Sequence, residues 1–117
     1  MNETAPGGSP TAAVHAAASL PILTYHSLDL SGSVVSVAPA DFADHIACLA
    51  DLGFRSITLR DAVLHRQRTG EWPTPAVVLT FDDGYANVHA TALPILTRHR
   101  FVATIFVVSG HVGGRND

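Results

Sequence analysis

Ala76-Val77-Val78-Leu79-Thr80-Phe81-Asp82-Asp83-Gly84-Tyr85 begins as an unbroken apolar run and ends on two adjacent acids, a glycine and an aromatic. A short apolar run following Pro73 and Pro75 reads as a buried strand of a parallel sheet. Packing does not explain two carboxylates at its end, because carboxylates are almost never fully buried unless paired or bound to a metal. In α/β folds, ligands sit at the carboxyl ends of parallel strands. Gly84 permits a sharp turn with positive φ, so the chain can leave the strand while both acids stay at its mouth.

Upstream, residues Leu20 to His26 are short and β-capable and read as the first strand. Leu28 to Ser36 reads as a loop, with a short extended piece at Val34–Val37. An amphipathic helix follows from Pro39 to Leu52. Pro39 suits its first turn, Asp41 and Asp44 suit the positive end of its dipole, and Phe42, Ile46 and Leu49 form one buried face. Cys48, between apolar neighbours, reads as a buried inert thiol, and Gly53 as a left-handed stop. Phe54 to Thr58 is the second strand. Thr58 with Asp61 marks the start of a helix running to about Arg68 and ending at Gly70.

Trp72-Pro73-Thr74-Pro75 is a stiff connector into the central strand. Downstream of Tyr85 a helix spans about Ala86 to His99, with a bend expected near Ala90 because Pro94 lacks an N–H. Val102 to Val108 is the fourth strand, and Ser109 to Asp117 a Gly-rich loop. Alternating strands and helices imply right-handed βαβ crossovers and a parallel sheet. Four such strands suit an open sheet or half of a barrel.

Composition narrows the function classes. The 117 residues suffice for one small domain, and 47% are hydrophobic, enough to form a core. A formal charge of −3 argues against a nucleic-acid surface. The single cysteine excludes an internal disulfide. No apolar run approaches the roughly 18–20 residues of a transmembrane helix. Residues 1–19 are rich in Ala, Gly, Pro, Ser and Thr and read as a disordered lead without the features of a secretory signal. Residues 20–117 are the folded part. Oligomeric state is not legible.

Thr80-Phe81-Asp82-Asp83-Gly84-Tyr85 resembles the first motif of the polysaccharide deacetylases, the NodB-homology domain of carbohydrate esterase family 4. Ile22-Leu23-Thr24-Tyr25-His26, Ala92-Leu93-Pro94-Ile95-Leu96 and Ala103-Thr104-Ile105-Phe106-Val107 extend the resemblance in the same order. It implies an α/β fold whose parallel βαβ units form the first half of a distorted (β/α) barrel of about twice this length, with the last strand left as an unpaired edge. It also implies a metal-dependent hydrolase that removes N-acetyl groups from amino-sugar polysaccharides. An N-acetylated polysaccharide would be its partner and a divalent metal, zinc, its cofactor.

The chemistry of amide hydrolysis suits two neighbouring acids: one can hold a metal, the other can take a proton from water. The residues alone do not say which does which. The resemblance assigns Asp82 as general base and Asp83 as metal ligand. A catalytic zinc takes about three protein ligands, and the family supplies two from a later H-[ST]-x-x-H motif. His26-Ser27 begins like that motif, but Leu30 stands where its second histidine belongs. Members with a rearranged motif order carry Tyr-His on the first strand, which makes His26 the candidate general acid. The competing reading is a strand-end histidine bonded to a backbone carbonyl.

Tyr85 is the candidate sugar-facing aromatic, against a rim side chain that only packs. His45, His65 and His99 read as solvated helix residues, and His89 as a candidate neighbour of the metal. Two rival functions stand beside the hydrolase. One is a non-catalytic remnant or carbohydrate-binding module. The other is a phosphotransfer domain, although acid pairs of that class usually alternate as Asp-x-Asp.

Overall fold

The computed structural model describes residues 19–114. Apart from Ser19, the expected disordered lead lies outside the described residues. In chain order the elements are β1 (Ile22–Tyr25), β2 (Ser27–Leu28), β3 (Ser36–Val37), α1 (Pro39–Asp51), β4 (Arg55–Ile57), α2 (Leu59–Thr69) and β5 (Ala76–Asp83). A π-helical turn (Val88–Ala92), α3 (Leu93–Arg98), β6 (Thr104–Val107) and a 3-10 turn (Ser109–His111) complete the described chain.

β5 is the centre of a four-stranded, wholly parallel sheet. β1 runs along one side, with Ile22 opposite Val78 and Tyr25 opposite Phe81. On the other side β4 pairs the start of β5 (Ala76 to Val78) and β6 pairs its end (Thr80 to Asp83). The expected parallel βαβ architecture is present. Among the described residues β6 pairs only with β5, and Ile105, Phe106 and Val107 are exposed. β2 and β3 form a separate two-stranded parallel ladder where the sequence suggested mainly loop.

Side chains alternate across a strand, and the odd-numbered face of β1 and β5 carries the core. Tyr25, Val77, Leu79 and Phe81 pack with Phe42 and Ile46 of α1, with Val88 and Ala92 of the π-helical turn, and with Leu96 of α3. Tyr25 stacks on Phe81 at 5.5 Å between ring centroids and meets Phe42 edge-on at 5.0 Å. Burying a side chain of this size contributes about 1.5–3 kcal/mol.

Local signals explain the helix ends. Pro39 opens α1, and Thr58 caps α2 by accepting a hydrogen bond from the Asp61 N–H at 3.1 Å. Gly70 closes α2 in the left-handed conformation at φ 80°. The bend expected before Pro94 takes the form of a π-helical turn. The Leu93 N–H reaches five residues back to the Val88 carbonyl, which widens the helix where Pro94 has no N–H to donate and its ring would crowd the Ala90 carbonyl.

One packing expectation is corrected: Cys48 is exposed, not buried. It lies off the stripe formed by Phe42 and Ile46, which alone in α1 are fully buried. The thiol should therefore react completely with a disulfide reagent such as DTNB under native conditions. Reaction only after denaturant is added would contradict the observed exposure. Phe81, with no exposed surface, should lose about 3–5 kcal/mol of stability on Phe81→Ala, read by urea unfolding.

Candidate active site

Tyr25 pairs with Phe81 in the β1–β5 register, and the residues that follow them, His26 just past β1 and Asp82 on β5, also meet. His26 Nε2 stands 3.5 Å from Asp82 Oδ2, with the two side chains 34% and 38% exposed. The contact is a partly solvated ion pair when His26 is protonated, longer than a direct N–H···O hydrogen bond. Below it, buried Thr80 donates its hydroxyl to Thr24 at 2.9 Å, tying the two strands on the same face.

Asp83 is the last residue of β5 and has φ 76°, and Gly84 follows at φ 69°. Two consecutive left-handed residues turn the chain sharply off the strand tip. Asp tolerates this conformation better than most residues, and Gly without cost. A β-carbon on Gly84 would come within 3.3 Å of Val107 Cγ1 on β6, so that exposed side chain would have to shift by a few tenths of an ångström.

Asp83, Gly84, Tyr85 and Asn87 line an open cleft of about 770 Å³ together with Val107 and His111. Tyr85 is half-buried, packing against the core while lining this cleft. His89 is exposed on the π-helical turn and lines a separate apolar groove with Phe81, Leu93 and Ile105.

Two interactions near the site had no sequence signature. Tyr25 OH lies 3.0 Å from His45 Nδ1, so His45 is exposed but engaged. Burial pushes the Tyr25 phenol above its usual pKa. Asp29 is ringed by donors: Ser27 Oγ at 2.5 Å, the Ser31 N–H at 2.8 Å and Ser36 Oγ at 3.1 Å. These hydrogen bonds, that from Ser27 first, hold its carboxyl well below the usual carboxylate range.

The family model described as polysaccharide deacetylase matches residues 69–117, the segment that carries β5, the two acids and β6. YxkH of Bacillus subtilis (strain 168), named for the polysaccharide deacetylases, is 34% identical over 99 residues, covering 85% of this chain. The chain belongs to the polysaccharide deacetylase family.

The poly-beta-1,6-N-acetyl-D-glucosamine N-deacetylase of Staphylococcus aureus (strain MSSA476) is 31% identical over 81 residues, 69% of this chain. The chain spans 35% of the length of the first relative and 28% of the second. Among solved structures, IcaB from Ammonifex degensii superposes with a TM-score of 0.72 at 30% identity, covering 84% of this chain and 42% of that one. Streptococcus pyogenes deacetylase PplD in complex with acetate superposes at 0.70 with 27% identity, covering 80% and 44%. The parallel sheet thus matches a portion of a NodB-like fold.

For a metal, the donor set among the described residues is incomplete. Among the described residues no three His, Cys, Asp or Glu side chains converge, and a catalytic zinc needs about three. Asp83 suits one position of such a set.

The Asp29 network carries a pH signature. Its folded-state pKa lies below the ordinary value of 3.8, so its stabilisation is complete above that value and is lost as pH falls toward the depressed folded value. Unfolding free energy measured between about pH 4 and pH 2 should therefore fall less steeply in Asp29→Asn than in the parent chain. Equal slopes would show that the network is not formed.

Proposed function

We propose that this chain forms the base-bearing part of a metal-dependent hydrolase site that removes N-acetyl groups from amino-sugar polysaccharides. The observation that carries the reading is the meeting of Asp82 and His26 at 3.5 Å, beside Asp83 at the mouth of the central strand. An acid–base pair at the carboxyl end of a parallel strand matches what amide hydrolysis requires.

Asp82, as carboxylate, takes a proton from water while the water oxygen bonds to the acetyl carbonyl carbon. The C–N bond then breaks, and protonated His26 delivers its proton to the departing nitrogen. The products are acetate and a free amine on the sugar. The proton held by Asp82 then returns His26 to its starting form across the 3.5 Å gap. Asp83 offers one carboxylate to a divalent ion, for which zinc is the proposed identity. The chemistry such an ion supplies when bound is polarisation of the acetyl carbonyl and acidification of water. Tyr85, on the cleft beside Asp83, offers a ring face to a sugar unit.

The test is acetate release from poly-N-acetylglucosamine in the presence of zinc, using the protein expressed from its whole reading frame. Asp82→Asn keeps the side-chain shape and removes the base, and should lower turnover by about 10²–10⁴-fold. Undiminished turnover would remove the base assignment.

A further inference from the structure

Asn87 begins the π-helical turn, a place where an Asn side chain ordinarily caps its own helix. Here it makes no such bond. Its amide instead reaches across 59 and 60 residues of sequence to β2. Asn87 Oδ1 accepts the Leu28 N–H at 3.1 Å, and Nδ2 donates to Ser27 Oγ at 2.8 Å. A backbone N–H can only donate, so the orientation of the amide is fixed. Ser27 Oγ, having accepted from Asn87, directs its own proton to Asp29 Oδ2 at 2.5 Å.

The geometry leaves Leu28 little alternative. In the parallel β2–β3 ladder the Ser27 and Asp29 N–H groups bond to Val35 and Val37, so the Leu28 N–H points to the other side. Leu28 is 2% exposed and Ser27 5%. Without Asn87, a buried donor loses its partner, a costly state. The clamp thus joins the residues directly after His26 to the turn directly after Asp82 and Asp83.

We infer that Asn87 is the positioning residue that holds His26 against Asp82. It sets the placement of the chain after β1 relative to β5 beyond Tyr25–Phe81, the last β1–β5 backbone pair. The inference deepens the hydrolase reading and rests on it for the catalytic consequence, but the placement of His26 is measurable without activity.

The first experiment is histidine side-chain NMR on the 117-residue chain at one fixed pH, with His26 signals assigned by their loss in His26→Gln. In the parent, Asp82→Asn shifts the His26 ring resonances. In an Asn87→Ala background that shift should fall to less than about half, as expected when two groups couple through a shared contact. Ser27→Ala, which removes the Nδ2 arm and the Ser27–Asp29 bond but keeps the Leu28 arm, should reduce it by a smaller amount and decides the matter if Asn87→Ala does not fold. An undiminished shift in a folded variant overturns the inference.

The second experiment is acetate release by the protein from its whole reading frame. Asn87→Ala should lower kcat by about tenfold or more with KM within about twofold, and should cost nothing further once His26→Gln is present. Additive losses would overturn the catalytic consequence. A positive NMR result with no acetate release by the parent protein would sink the hydrolase reading and leave the positioning role standing.

Discussion

The β1–β5 register is the constraint on which the remaining structure depends. Four consecutive residue pairs, from Ile22–Val78 to Tyr25–Phe81, align two parallel strands. A slip of one residue would exchange the two faces of β1. Tyr25 would leave its stack on Phe81 and its edge contact with Phe42, and His26 would leave Asp82. The same pairing therefore builds the aromatic core on one face and the His26–Asp82 contact on the other. Buried Thr80, bonded to Thr24, reinforces the register from the even-numbered face.

Around that register the chain separates packing from chemistry. α1, the π-helical turn and α3 cover the odd-numbered face and meet one another there. The strand tips carry the polar groups: Asp82 and Asp83 on β5, His26 after β1, and the Ser27–Asp29–Asn87 network beside them. Asp83 and Gly84 in left-handed conformations keep the acids at the mouth by turning the chain away at once. The cost of placing a non-glycine residue in that region, about 1–2 kcal/mol, is carried by a residue type suited to it.

Much of this was legible from residue order. The apolar run before Asp82 is the central strand, Thr58 and Gly70 bound α2, and Gly84 takes the positive φ its place demanded. These are local signals, each readable within a few residues. What the sequence hid is non-local. The Asn87 clamp spans about 60 residues, and the Tyr25–His45 bond spans 20, so no window could reveal either. The β2–β3 ladder is two residues long on each strand, too short for periodicity. Cys48 is different, because its exposure follows from its helical phase relative to Phe42 and Ile46, which outranks the apolar character of its neighbours. Pro94 signalled a disturbed helix, but not that widening to a π turn would relieve it.

The central claim is that Asp82, Asp83 and His26 form one reacting centre. The most direct measurement is a crystal structure of the protein from its whole reading frame, grown with zinc and acetate. The account predicts an ion bound by Asp83 and an acetate oxygen within about 3 Å of both Asp82 and His26. Both carboxylates turned into bulk solvent, with the ion and the acetate held elsewhere, would contradict it.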